Sequence, residues 1–187
     1  MILWPILVFL FWHGTLNAQK DASKEKFYQS LNLSYIVGGQ VYNDNFLYNP
    51  GYSLKFSYGK KVNSDISIGL GTGYLSLSNE NFLNHFVEII GKKKKKNNTP
   101  FVNFQGGYSI GWLNSTNSSQ YYKINGGIFI NAGLGRMIKI NEKYILLFHW
   151  SYCHQFAKME YEIFGGNDYS EILNYDMLQI SIGVLFD

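Results

Sequence analysis

Cysteine, proline and long apolar runs are scarce in this chain, and each scarcity excludes a class of protein. The one cysteine, Cys153, rules out an internal disulfide and any cysteine-rich metal site, so a disulfide scaffold is excluded. With 3 Pro among 187 residues, few elements are interrupted. Little Ala and Glu leaves the chain poor in helix formers. No apolar stretch reaches the ~20 residues of a spanning helix. Charge is modest: 16 Lys+Arg against 13 Asp+Glu give a net of +3, too mild to suggest a nucleic-acid footprint.

The N-terminus departs from the rest. Met1 to Trp12 is apolar, broken by Pro5, and Leu16-Asn17-Ala18 has the small-residue ending of a cleavage site before Gln19. Residues 1–18 therefore read as a signal peptide, although no Lys or Arg precedes Lys20. Residues 19–187 have the size of a single domain.

What the chain does have is aromatics, glycine and alternation. Its 15 Tyr, 14 Phe, 4 Trp and 19 Gly suit many strands with aromatic ends. About eight segments show residues two apart sharing chemistry. Phe27 to Val37, Gly51 to Gly59, and Ile66 to Tyr74 are the first three. In the third, Ile66, Ile68, Leu70 and Tyr74 oppose the small Ser67, Gly69, Gly71 and Gly73, which fit a narrow interior. Asn81 to Gly91 reads two ways; the preferred one turns Leu83, Val87 and Ile89 outward and Asn84 and Glu88 inward. Pro100 to Trp112, Gly127 to Ile140 and Tyr144 to Glu160 follow. The last segment runs from Asp176 to Asp187, with Leu178, Ile180, Ile182, Val184 and Phe186 set against Asp176, Gln179, Ser181 and Gly183.

No segment is a good helix to cover the apolar faces, so those faces look at lipid. Segments of nine to seventeen residues are long enough for the ~9–11 of a tilted membrane strand. Breaks alternate in length: Gly38 to Asn49, Leu113 to Gly126 and Phe164 to Asn174 are long, whereas Lys60 to Asp65 and Asn141 to Lys143 are short. That predicts an all-β, eight-stranded antiparallel transmembrane β-barrel with long loops at one end, and short turns and both termini at the periplasmic end. A lipocalin-like soluble barrel is the competing reading, but it would carry its apolar residues inside.

Gly69-Leu70-Gly71-Thr72-Gly73-Tyr74, Gly106-Gly107-Tyr108-Ser109-Ile110-Gly111, Ala132-Gly133-Leu134-Gly135 and Ile180 to Phe186 give nearly all of residues 19–187 a further meaning. The chain resembles the small bacterial outer-membrane β-barrels, the eight-stranded OmpA/OmpX-like family. The closing strand is similar to the signal read by the barrel-assembly machinery, carried here by Gln179, Ser181, Val184 and Phe186, with Ser181 where glycine is usual and Asp187 after the final aromatic. The resemblance implies the outer membrane as location, lipid and lipopolysaccharide as surroundings, no cofactor, and no single activity. A non-enzymatic barrel presenting extracellular loops, for envelope structure, adhesion or secretion support, is the leading expectation, with an unidentified protein partner.

Three features stand out from the scaffold. Lys92, Lys93, Lys94, Lys95 and Lys96 form a basic run between the fourth and fifth strands, read as a solvated turn or as a contact for phosphate. His149-Trp150-Ser151 sets a base and a nucleophile on one face of a strand, with Glu160 or Glu162 downstream to orient the histidine. It resembles part of the pattern of the outer-membrane lipid A deacylases, in which the serine is followed by asparagine; here Tyr152 follows, and the alternation turns His149 and Ser151 inward. Lumen polar residues are the plainer expectation. Lastly, Tyr42, Phe46, Tyr48, Tyr121, Tyr122 and Tyr169 concentrate in the breaks, as contact surfaces or as belts at the membrane surface.

Overall fold

The computed structural model describes residues 27–42, 45–93, 98–113, 122–163 and 167–186. The proposed signal peptide and cleavage site lie outside the described residues, as do Lys94 to Lys96, Tyr121 and Asp187. Ten strands are described, all paired antiparallel: β1 (Phe27–Tyr42), β2 (Asn45–Tyr48), β3 (Gly51–Lys61), β4 (Ile66–Leu77), β5 (Glu80–Lys92), β6 (Asn98–Leu113), β7 (Tyr122–Asn125), β8 (Ile128–Lys139), β9 (Tyr144–Ile163) and β10 (Asn167–Phe186).

Register reduces these ten to eight staves. Ile36 pairs Gly51 and Gly39 pairs Tyr48 in one continuous ladder, so β2 and β3 are one stave interrupted at Asn49-Pro50. Pro50 has no N–H to give, while Asn49 N still reaches Gly38 O at 2.8 Å. Against β9, Phe129 pairs Gln155 and Asn125 pairs Lys158, a slip of one residue. β7 and β8 are therefore one stave with a bulge at Gly126-Gly127, where a Cβ on Gly126 would stand 1.8 Å from Ser109 O. The staves pair in order around the sheet, and β10 closes on both β1 and β9. Closure leaves no backbone edge, as a structure surrounded by lipid requires.

Alternation holds on every stave. Leu70 is 69% exposed and Trp150 66%, whereas Glu88 is 1% and Gln105 2%. Leu83, Val87 and Ile89 lie on the outer side, with Asn84 and Glu88 in the lumen, as preferred from sequence. A lipocalin-like arrangement is excluded by this facing.

Two expectations are corrected. The breaks at Gly38 to Asn49 and Phe164 to Asn174 are mostly strand: β1 continues to Tyr42, and β10 begins at Asn167. β9 and β10 each run 20 residues because cross-strand pairs such as the stacked Tyr161 and Tyr169, with ring centroids 6.0 Å apart, extend the ladder beyond the membrane. The second correction concerns Asp176. Grouped by sequence with the polar face, it shares the outer face of β10 with Leu178, since both positions have the same parity.

Phe27, Phe186, the turns after β3 and β8, and Lys92-Lys93 gather at one end, the turn end. The long hairpins occupy the other.

Candidate functional site

The lumen is filled in three layers. Toward the hairpin end, Ile36, Phe82, Phe86, Phe129, Leu173, Tyr175 and Met177 form an apolar cluster that also takes in Cys153. Phe82, Phe86 and Ile90, the rejected outward set of the fourth segment, are therefore lumen side chains, Phe82 edge-on to Tyr175 and Phe86 edge-on to Phe129 with ring centroids 6.0 Å apart. Toward the turn end, Tyr28, Ile90, Phe101, Met137, Leu147 and Leu185 make a second cluster.

Between them sits a polar layer around Lys55. Its Nζ donates to Gln105 Oε1 and Gln179 Oε1, both at 3.0 Å. Gln105 Nε2 donates to Glu88 Oε1 at 2.7 Å, and Tyr28 OH to Glu88 Oε2 at 3.2 Å. Asn131 Nδ2 completes the layer by reaching both glutamine oxygens. A buried ammonium and a buried carboxylate are thus joined through one amide, which partly offsets their desolvation. Sequence reasoning turned Glu88 inward and set Gln179 against the apolar row of the last segment, but had no means of pairing either with Lys55.

His149 and Ser151 face this filled lumen. His149 is 9% exposed and lies edge-on to Phe101, and neither its Nδ1 nor Ser151 Oγ has a hydrogen-bond partner among the described residues. Glu160 stands eleven residues further along β9, about 36 Å at ~3.3 Å per residue. It accepts instead from Lys158 Nζ at 2.8 Å, a contact that holds its carboxyl below the ordinary range. The side chain of Glu162 is outside the described residues. Among the described residues, no carboxylate is hydrogen-bonded to His149 and no hydrogen bond joins it to Ser151.

Among the residues of the closing strand, Gln179 belongs to the Lys55 layer, and Ser181 Oγ meets Ser34 Oγ at 2.7 Å. Val184 and Phe186 point outward, Phe186 against Tyr144.

The outer wall holds a cluster that went unread in the sequence. Tyr152 OH and His154 Nδ1 both meet Asp176 Oδ1, the latter at 2.7 Å, with the His154 ring centroid 4.4 Å from that of Phe156. Asp176 lies ten residues from Phe186, about 25 Å of height at a tilt near 40°. The cluster therefore stands at the hairpin-side edge of the apolar band, where polar side chains can meet headgroups. Parity alone was the available signal: Tyr152, His154 and Asp176 all fall on outward positions.

Charge separates along the axis. The turn end carries Lys60, Lys61, Lys92, Lys93, Arg136, Lys139 and Lys143 against Asp65 and Glu142; the hairpin end carries Glu80, Glu160, Glu171 and Asp176 against Lys123 and Lys158.

A closed eight-stave barrel with an apolar outer belt, a filled lumen and long hairpins at one end has counterparts among solved structures. Neisserial surface protein A superposes with a TM-score of 0.61 at 11% identity, over 86% of this chain and 96% of that one. The chain has the fold of the small outer-membrane β-barrels. OprG from Pseudomonas aeruginosa is similar too, with a TM-score of 0.55 at 11% identity, over 88% and 98% of the two chains. No protein-family model matches the sequence, and neither does any curated protein.

Proposed function

We propose that this small barrel is a non-enzymatic protein of the bacterial outer membrane that holds β-hairpins above the cell surface for contact with another envelope or extracellular protein, in support of envelope structure, adhesion or secretion. The observation that carries the reading is the length of β9 and β10. Each has 20 residues where ~9–11 suffice to cross, leaving roughly nine residue pairs, about 30 Å of ladder, beyond the apolar band. That extension displays the stacked Tyr161 and Tyr169 and the Lys158–Glu160 pair on a stiff ribbon. Tyr-rich surfaces give large contact area at low entropic cost. The turn end faces the periplasm, and β10 is the strand offered to the barrel-assembly machinery. Lipopolysaccharide surrounds the hairpin-side girdle, beside Tyr152, His154 and Asp176.

Membrane-impermeant maleimide on intact cells tests the reading, since the native Cys153 is buried. Ser170→Cys should label and Lys143→Cys should label only after the outer membrane is opened. Labelling in the opposite order, or of neither in a folded barrel, would sink the orientation. Shortening the β9–β10 ladder should preserve heat-modifiable gel mobility while abolishing cell-surface contact.

A further inference from the structure

The outer wall near the turn end carries an apolar groove of about 780 Å³. Two outward ladder rows form its walls: Val102, Leu134, Trp150 and Ile180 pair in one, and Pro100, Arg136 and Phe148 in the other, while the row between them, Phe101, Gly135, His149 and Ser181, lies at its floor. Because the staves tilt, a ladder row crosses the wall obliquely. Ile180 lies six residues from Phe186, about 15 Å up and near the middle of the band, whereas Gly91 and Lys93 lie at the turn-end rim. From Gly91 to Ile180 the row makes four inter-strand steps, about 19 Å, comparable to an extended acyl chain.

The groove becomes basic as it descends. Arg136 faces outward near its lower half, with no hydrogen bond or ion pair among the described residues, and Lys92 and Lys93 form its lip. An outward cation within the band costs about 2–4 kcal/mol at the midplane, less near the interface, so Arg136 is best placed beside an anion held at the interface. A guanidinium fork fits a phosphodiester in bidentate fashion.

We propose that this groove binds one anionic glycerophospholipid of the turn-end leaflet, its phosphate between Arg136 and Lys93 and one acyl chain along Val102, Leu134 and Trp150. The excess of Lys and Arg at this end favours a net-negative headgroup over a zwitterionic one, and the groove's opening at the turn-end rim favours a lipid of that leaflet over one from the hairpin side. The proposal rests on the membrane-barrel reading, and its test separates the two.

The chain is refolded in detergent micelles and examined by native mass spectrometry with phosphatidylglycerol or phosphatidylcholine of identical acyl chains. The wild type should retain one phosphatidylglycerol, at least about tenfold in preference to phosphatidylcholine. Arg136→Gln together with Lys93→Gln should bring phosphatidylglycerol down to the phosphatidylcholine level. Gly91→Phe should weaken retention of both lipids by filling the lip, where an added Cβ meets only Val102 Cγ2, at 3.2 Å. Arg136→Gln alone removes a lipid-facing charge and so should fold at least as well, which keeps the charge test available if the double variant does not fold. Equal retention of the two lipids by a heat-modifiable wild type, or an undiminished preference in Arg136→Gln, overturns the lipid site and leaves the barrel standing. A wild type that shows no heat-modifiable mobility overturns the barrel reading together with the site.

Discussion

Lys55 and Glu88 hold opposite charges in the polar layer without touching, and Gln105 joins them. Truncating Glu88 to alanine leaves the buried ammonium of Lys55 without its counter-charge and strips Gln105 Nε2 and Tyr28 OH of their acceptor, which should cost at least about 1–3 kcal/mol, the penalty of a buried polar group left unpaired. Lys55→Met with Glu88→Gln removes both charges and should recover most of that loss. Urea unfolding in micelles reads both, and equal destabilisation by the single and double variants would show that charge pairing is not what holds the layer. Gly71 offers a steric counterpart. A Cβ there would lie 2.3 Å from Phe86 Cε2, since the glycine makes room for that ring inside the wall. Gly71→Ala should cost about 1–3 kcal/mol, the usual range for overpacking. Phe86→Leu in the same chain should return part of it; no recovery would place the clash on the Phe56 carbonyl, 2.7 Å from the same Cβ, instead.

At the scale of elements, the two faces of β10 respond to different environments. Ile182 points to lipid, and Ile182→Arg should cost roughly 2–4 kcal/mol by the depth dependence of lipid-facing charge. Ser181→Ala, one position on, removes one lumen hydrogen bond to Ser34 and should cost about 0.5–1.5 kcal/mol. Refolding into vesicles at graded urea measures both, and comparable losses would mean that the faces of β10 are exchanged. Long hairpins follow from a different cause. β9 and β10 continue past the membrane because Tyr161 and Tyr169 pair across the ladder, one residue just past the end of the seventh segment and the other inside a break.

The whole molecule is a filled cylinder. Apolar clusters above and below the Lys55 layer close the lumen at both ends, so vesicles containing the barrel should neither swell in small sugars nor show steady ion conductance. Sustained single-channel currents in planar bilayers would contradict the plug. The axial separation of charge, basic at the turn end and acidic at the hairpin end, gives the cylinder two chemically distinct rims, each set against a different leaflet and solvent.

Alternation in the sequence determined the eight-stave barrel, its outer face and the end at which the termini lie. Lipid leaves little freedom there: outward positions at the middle of the band are held to apolar residues, and period two then fixes their neighbours. Even Asp176 was decided by parity once parity was counted from Leu178. The candidate site was less legible. His149 and Ser151 are adjacent on one face in any reading, but only closure of the wall shows them buried among Phe101 and the lumen side chains, without a carboxylate. Lys55 meets Gln105 and Gln179 from 50 and 124 residues away, and Arg136 finds itself in a groove built by five staves. Those meetings depend on the stagger of one stave against the next around a closed circle, a quantity summed over all eight pairings and contained in no single segment.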